Sequence, residues 1–301
     1  MMKVLTTALV SLFLLGACSS DPVLDLDQVE IRARGGEQGA IVQLVDLLAS
    51  PDPRLADRVY KILVELGSDA VPALKERVQS TDRQQREYII AALGTAKASS
   101  AIESLGAVLD DTSLQRRYVA AWALGEIGDP AGIPMLIGAL SDPNSEVRRY
   151  ATRALIKINR PCVDPLVAYL EISLPGEGAA GAIRALGDIA DSRALPALLA
   201  RVDSPQRGEV FLALGKLRDR RAEQALITGL SDSDWQVRMN AAMSLGPLGG
   251  VEAVGKLQQT LEDEVHVVRE WSARSLEMIT GRAVSYRNSK GEMVRPYNVY
   301  H

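Results

Sequence analysis

The chain has 301 residues, a formal net charge of −4 and a hydrophobic content of 47%, and only 4% of its residues are aromatic. This acidic balance argues against a nucleic-acid partner and against attachment to anionic lipid by charge alone. The two histidines are His266 and His301, so neither a zinc centre nor a histidine-based nucleophile–base pair is supported. We therefore predict no metal, no cofactor and no catalytic residues.

The first eighteen residues are typical of a bacterial secretory leader. Lys3 precedes an apolar run of about twelve residues, which is too short to span a bilayer as a helix. The run ends in Leu15-Gly16-Ala17-Cys18, which resembles the lipobox of bacterial lipoproteins. The resemblance implies cleavage before Cys18 and acyl chains on this residue, and two or more chains give stable membrane anchoring. An ordinary secretory signal with a chance cysteine is the alternative.

Residues 1–17 are therefore predicted to be a signal peptide, and residues 18–38 a lipid-anchored tether. The tether sequence is polar and contains Pro22, although it allows a short helix around residues 24–34. By resemblance to lipoproteins of bacteria with two membranes, Ser19 indicates the outer membrane, with the protein facing the periplasm.

A repeated unit occupies residues 39–281. A leucine recurs at intervals of 28 to 31 residues, with an apolar or small residue four positions before it and an apolar residue three positions after it. Residues at these offsets share one face of a helix, so each unit is expected to end in a helix that buries this stripe. The recurring leucines are Leu63, Leu93, Leu124, Leu155, Leu186, Leu214, Leu245 and Leu276.

The segments VRRYATRAL, VRMNAAMSLG and RRYVAAWALGEIGDP resemble HEAT repeats, in the short form that also occurs in phycobilisome-lyase-like proteins. The resemblance covers about residues 39–281 and implies an all-α, right-handed solenoid of about eight helix pairs. It specifies the fold and leaves the function open, because such repeats serve many unrelated roles.

Six of the units carry an arginine seven residues before the leucine, and an aspartate four or six residues before that arginine. In HEAT-like proteins a ladder of this kind ties neighbouring repeats together, so the resemblance implies a structural role. The arginines are Arg86, Arg117, Arg148, Arg207, Arg238 and Arg269, and the aspartates include Asp111, Asp142, Asp232 and Asp263.

The unit around residues 175–186 departs from this pattern. It lacks the arginine, the next unit is three residues short, and we expect the stack to bend or loosen there. Residues 176–181 spell GxGxxG, but a dinucleotide fingerprint requires a preceding strand, so chance is the favoured explanation. After Gly281 the period stops, and residues 282–301 predict a hairpin that caps the last helix pair. A docking tail is the alternative.

The second helices leave free the positions six, five and two residues before each leucine. In HEAT-like arrays these positions line the concave face, and here they are rich in residue types that are enriched at protein interfaces. We predict a concave groove that binds a protein partner; packing of these side chains on neighbouring helices is the alternative. The groove residues are Tyr88, Tyr118, Trp122, Tyr150, Arg153, Arg184, Met239, Met243, Trp271 and Arg274.

These features predict a membrane-tethered scaffold or adaptor of the bacterial cell envelope, without catalysis of its own. The alternative from another class is an enzyme, or an accessory of one, that acts on a ligand in the same groove. A phycobilin lyase is a remote form of this alternative, because a lipid-anchored protein outside the cytoplasm would be misplaced for that reaction. Cys162, which remains after lipidation of Cys18, is expected to be a small core residue.

Overall fold

A computed structural model describes residues 25–296 of the chain. These residues form seventeen α-helices, α1 to α17, and one short hairpin of strands β1 and β2. Helices α2 to α17 form eight pairs, and each second helix contacts the second helix of the next pair. The prediction of an all-α solenoid with about eight helix pairs is therefore confirmed.

The first helix of each pair is short, and in every pair after the first it continues directly from a 3₁₀ turn. The first helices are α2 (Gln38–Leu47), α4 (Val71–Arg77), α6 (Ile102–Asp110), α8 (Ile133–Gly138), α10 (Val163–Ile172), α12 (Leu195–Leu199), α14 (Glu223–Gly229) and α16 (Val254–Gln259). The second helices are longer. They are α3 (Pro53–Leu66), α5 (Arg83–Thr95), α7 (Tyr118–Ile127), α9 (Ser145–Ile158), α11 (Glu177–Ile189), α13 (Arg207–Leu217), α15 (Trp235–Leu248) and α17 (His266–Thr280).

Local sequence determines where many of these helices begin and end. Asn144 and Asp234 accept hydrogen bonds from the backbone N–H groups of Glu146 and Gln236, which are otherwise unpaired donors of the first turn. A proline stands in the first two positions of α4, α8 and α12, where a backbone N–H needs no partner. Gly128 ends α7 in the left-handed conformation, with a φ of 74°.

The hydrophobic core is one continuous cluster that runs through all the pairs. Each of the eight recurring leucines exposes at most 2% of its surface, and the residues four positions before them are 0% exposed. Burying one such side chain contributes about 1.5–3 kcal/mol, so the leucine column is a principal source of stability.

The second helices approach one another closely at glycines that directly follow a recurring leucine. A Cβ atom on Gly125 would lie 2.8 Å from the Cα atom of Ala154 in the next second helix. A Cβ atom on Gly187 would lie at the same distance, 2.8 Å, from the Cα atom of Ala213. Only glycine permits this separation between helix backbones. We did not identify this glycine column from the sequence.

Helix α1 (Leu26–Arg34) corresponds to the short helix that the sequence allowed around residues 24–34, and it packs on the solenoid instead of belonging to a free tether. Residues 18–24 of the predicted tether lie outside the described residues. Arg34 Nη2 donates a hydrogen bond to the Glu65 carboxylate on α3, at 2.5 Å. Three apolar side chains of α1 are buried in the core, so this helix is a packed part of the solenoid. They are Leu26, Val29 and Ala33.

The two cysteines fall in different parts of the chain. Cys18 and the predicted signal peptide, residues 1–17, lie outside the described residues. Cys162 is fully buried, and burial raises the pKa of its thiol to about 12, as expected for a core residue. Within residues 25–296, no helix is both long enough and apolar enough to cross a bilayer.

The predicted C-terminal hairpin is confirmed. Strand β1 (Tyr286–Arg287) pairs antiparallel with β2 (Met293–Val294). The Tyr286 side chain is buried, and Arg269 Nε of α17 donates a hydrogen bond to the carbonyl oxygen of Arg287 at 2.7 Å. The hairpin therefore covers part of the last helix pair.

The GxGxxG segment, residues 176–181, lies at the start of α11 and follows helix α10. No strand precedes it within the described part of the chain, so the structural context of a dinucleotide fingerprint is missing there. Buried glycines in this segment serve packing, since a Cβ atom on Gly181 would lie 3.0 Å from Thr152 Oγ1.

Candidate binding surface on the second helices

All ten residues predicted to line the groove lie on second helices, from α5 to α17. We refer to these ten residues as the second-helix surface. Their aromatic and methionine side chains are half-buried, whereas Arg153 and Arg184 are exposed and Arg274 is half-buried. The five aromatic rings pack partly against the hydrophobic core. The same side chains therefore contribute to packing and remain accessible to a partner.

Tyr118 of α7 and Tyr150 of α9 form the centre of this surface. Their rings stack, with centroids 4.8 Å apart and an interplanar angle of 25°. The guanidinium groups of Arg149 and Arg153 lie 5.2 Å and 5.8 Å from the centroid of the Tyr150 ring. Cations over a ring face are attracted to its electron density, so the arginines and tyrosines hold one another in place.

Arg116 joins this centre, although we did not identify it from the sequence. Its Nε donates a hydrogen bond to Tyr118 Oη, and its Nη1 pairs with the Glu87 carboxylate of α5, both at 2.8 Å. The hydrogen bond to Tyr118 and the charge of Glu87 raise the pKa of Arg116. Arg116 has a φ of 56° in the turn before α7, which begins at Tyr118. Its left-handed conformation has no simple sequence signal, because it is uncommon for any residue other than glycine.

Three carboxylates near this centre already have cationic partners. The pairs are Glu87–Arg116 at 2.8 Å, Glu126–Lys157 at 2.5 Å and Glu146–Arg149 at 2.6 Å. Arg153, in contrast, contacts the Tyr150 ring and has no carboxylate partner among residues 25–296. The centre of the surface therefore presents an available cation beside an aromatic face.

Aromatic contacts extend towards both ends of the solenoid. The Tyr88 ring lies 5.7 Å from the ring of Tyr60, and the Tyr88 hydroxyl donates a hydrogen bond to Asp57. This bond to a carboxylate raises the pKa of Tyr88 to about 12. On α17, the Arg274 guanidinium lies 4.5 Å from the centroid of the Trp271 ring. Tyr60 lies outside the predicted columns, and only its contact with Tyr88 places it on this surface.

A cavity of about 480 Å³ opens between α11, α13 and α15. Arg184 and Met239 of the second-helix surface line it, together with Gly208, which leaves room because it has no side chain. Arg184 lies 3.6 Å from the Glu209 carboxylate on the same wall. The surface thus has a hollow between these three second helices.

The predicted arginine–aspartate ladder is formed at three junctions between units. The pairs are Arg117–Asp142, Arg207–Asp232 and Arg238–Asp263, each with a shortest N–O distance of 2.7 Å. The hydrogen bonds from Arg207 lower the pKa of Asp232. Elsewhere among the described residues the ladder is incomplete. The Asp111 carboxylate accepts a hydrogen bond from the Ser113 hydroxyl. The remaining arginines donate hydrogen bonds to backbone carbonyls. Those arginines are Arg86, Arg148 and Arg269.

The second-helix surface offers ring faces, guanidinium groups and thioethers. Such groups bind carboxylates, flat rings and apolar side chains. Within residues 25–296, no three side chains of the metal-binding types lie close enough together to hold an ion. The fold is an α-solenoid, and the candidate binding surface is spread over many of its repeats.

The chain belongs to the HEAT-repeat family, because the family model for HEAT repeats matches residues 71–155, 102–175, 133–211 and 206–277. A curated relative, phycocyanobilin lyase subunit alpha of Picosynechococcus sp., is 39% identical over 74 residues. These residues are 22% of this chain and 28% of the relative, so the match spans little more than a quarter of the relative's length.

Two solved structures share the fold over most of the chain. A structure of a Kap121p mutant is 12% identical with a TM-score of 0.62, and the match covers 84% of this chain and 35% of that one. A structure of Kap95p with RanGDP is 13% identical with a TM-score of 0.57, and the match covers 80% of this chain and 40% of that one. At such low identity, these similarities establish the fold alone.

The expectation that this chain is not an enzyme is wrong. The relative is named as a lyase subunit, and this relationship points to an enzyme-related function. The alternative that the sequence left open, an enzyme or an accessory of one, agrees better with this finding than a scaffold without any link to catalysis.

Proposed function

We propose that this chain is a subunit or accessory of an enzyme, and that it holds a protein partner of that enzyme on the second-helix surface. The observation that carries the proposal is the stack of Tyr118 on Tyr150 with Arg153 available beside it. Aromatic and arginine side chains supply much of the binding energy at protein interfaces. The relative named as a lyase subunit supports the link to an enzyme.

The distribution of these residues favours a protein over a small molecule as the main partner. The second-helix surface extends from α5 to α17, whereas a small ligand is held by groups that converge in one place. An extended partner contacts several repeats at once, as the surfaces of stacked repeats allow.

We further propose that acyl chains on Cys18 tether the chain to the cell envelope. The support is the sequence of the leader and its resemblance to a lipobox. A tethered subunit would act next to the membrane, on the periplasmic side of the outer membrane.

A second candidate occupant is phycocyanobilin, because the relative's name contains it. Ring faces and an available guanidinium would suit a conjugated pigment that carries acidic groups. Titration of the purified chain with this pigment tests the idea. A change in visible absorption that is lost in an Arg153→Glu variant would favour the pigment over a protein partner.

The main proposal is tested by crosslinking in intact cells, followed by affinity purification and mass spectrometry. Arg153→Glu is the test variant, because this side chain is exposed and lies at the centre of the surface. Arg160→Glu is the matched control, because it makes the same charge change on a side chain that is 82% exposed in a turn. Trp122 is less suitable, since its ring packs over Gly94 of α5.

We expect recovery of the partner to fall at least about tenfold in Arg153→Glu and to stay unchanged in Arg160→Glu. Both side chains are exposed, so each substitution should change stability by less than about 1 kcal/mol, including loss of the contact between Arg153 and the Tyr150 ring. Equal recovery with both variants would show that the second-helix surface does not bind the partner.

A further inference from the structure

The ladder shows what its arginines bind when a junction is complete. Arg117 Nη1 and Nη2 donate to the two oxygens of the Asp142 carboxylate at 2.7 Å and 3.1 Å. Arg207 and Arg238 make the same two-point contact with aspartates of the following unit. In all three junctions the aspartate lies 25 residues after the arginine. Paired contacts of this kind are strong and geometrically specific.

The junction after Arg148 lacks this carboxylate. The residue 25 positions further on is Ser173, in the link between α10 and α11. Its backbone angles, φ −75° and ψ 139°, are close to those of the ladder residue Asp142, φ −59° and ψ 140°. The backbone of Ser173 therefore matches that of a ladder aspartate, but its side chain carries no carboxylate for Arg148. Arg201 Nη2 of the next unit instead donates to the Ser173 carbonyl oxygen at 2.9 Å.

Arg148 keeps unused hydrogen-bond donors. Its Nη1 donates to the carbonyl oxygens of Asp142 and Pro143, at 2.9 Å and 3.1 Å. The nearest carboxylate to its Nη2 is Glu177, at 3.9 Å, which is beyond hydrogen-bond distance. The Glu177 side chain is 71% exposed, so it does not fill the vacant position of the ladder.

A cavity of about 610 Å³ lies at this junction, and Arg148 and Ser173 line it. Tyr169 Oη and Ser141 Oγ are 2.9 Å apart in its wall. Two large apolar side chains border it and are almost fully exposed. They are Ile172, at 84%, and Leu174, at 85%. Adjacent exposed side chains of this size are typical of contact sites.

We propose that this junction binds an aspartate or glutamate of a partner protein, flanked by apolar residues. The partner's carboxylate takes the position of the missing ladder aspartate and accepts hydrogen bonds from Arg148. Its apolar neighbours cover Ile172 and Leu174, which a free inorganic anion would leave exposed. The site lies where α9, α10 and the start of α11 meet. It includes none of the ten residues of the second-helix surface, so it stands or falls independently of the proposed function.

The first test supplies the carboxylate from within the chain. In Ser173→Asp, the new side chain should pair with Arg148 and raise the melting temperature of the full-length protein by roughly 3 °C. Ser173→Asn is the control of equal size without charge, and the double variant Arg148→Ala/Ser173→Asp should lose the gain. A Ser173→Asp variant no more stable than Ser173→Asn would overturn the proposal, because the junction would not accept a carboxylate.

The second test uses a random peptide library displayed on phage and selected on the full-length protein. We expect the selected peptides to contain Asp or Glu next to a large apolar residue, and to bind at least tenfold more weakly to Ser173→Asp, whose own carboxylate fills the site. Glu177→Gln should bind them at least as tightly as the wild type, because it removes a nearby negative charge. Selected peptides without acidic residues, or equal binding to Ser173→Asp, would refute the proposal.

Discussion

At the scale of single residues, the arginine–aspartate pairs of the ladder differ in how deeply they are buried. The side chains of Arg117 and Asp142 are 5% and 10% exposed, whereas those of Arg207 and Asp232 are 29% and 17% exposed. Both aspartates also accept a backbone hydrogen bond at 2.8 Å from the residue two positions further on. The two junctions therefore offer the same chemistry in two different environments.

Asp142→Asn should destabilise the protein more than Asp232→Asn. Removing the charge of Asp142 leaves the buried Arg117 guanidinium uncompensated, at a cost of about 3 kcal/mol. The same change at the more exposed pair should cost about 1 kcal/mol. Urea unfolding followed by circular dichroism measures both values. Equal losses would mean that burial of the pair does not control its contribution.

The pH dependence of the more exposed pair has a defined sign. The hydrogen bonds from Arg207 lower the pKa of Asp232 in the folded protein. Its contribution to stability is therefore present above the unfolded-state pKa and is lost as the pH falls through the lower folded-state value.

At the scale of helices, the glycine column controls how closely the second helices stack. Gly125 of α7 faces Ala154 of α9 with no space for a methyl group. At Gly138, the last residue of α8, a Cβ atom would point into open space, and the φ of −54° suits any residue. Comparing a substitution at each of these two glycines separates the effect of helix packing on stability from the effect of helix propensity.

Gly125→Ala should destabilise the protein, and Gly138→Ala should stabilise it slightly. Alanine favours a helix over glycine by about 1 kcal/mol, but at residue 125 the overpacking cost of about 1–3 kcal/mol opposes this gain. Thermal unfolding followed by circular dichroism compares the two variants. If both were stabilised, the second helices would have to separate at little cost.

At the scale of the whole molecule, the solenoid is one continuous core with an additional helix at one end and a hairpin at the other. Helix α1 packs on α2 and α3, so the packed body begins near residue 25. The predicted attachment point, Cys18, precedes this body in the sequence by only a few residues. A lipid anchor there would hold the N-terminal end of the solenoid near the membrane.

Cys18→Ser should release the protein from the membrane. Without the thiol, the proposed acyl chains have no attachment point at this residue. Metabolic labelling with an alkyne fatty acid, together with fractionation of membranes, measures the effect. Cys162→Ser is the control, since this buried cysteine should not affect labelling. Labelling that persists in Cys18→Ser would exclude the proposed attachment.

The sequence by itself determined the repeat, the eight helix pairs and the terminal hairpin, because these follow from short-range periodicity and turn residues. The leucine column is one example: its spacing alone places each leucine on a buried helix face. The columns that carry Tyr118, Tyr150 and Arg153 were also visible in the sequence, since each repeat presents the same positions to the surface.

Only the tertiary structure decided which of these side chains meet. The stack of Tyr118 on Tyr150 and the left-handed Arg116 depend on how α7 begins and how it packs on α9. The vacant position beside Arg148 appears only when its junction is compared with the three complete ones. Such contacts join residues from different repeats, and their geometry depends on helix packing that local sequence does not specify.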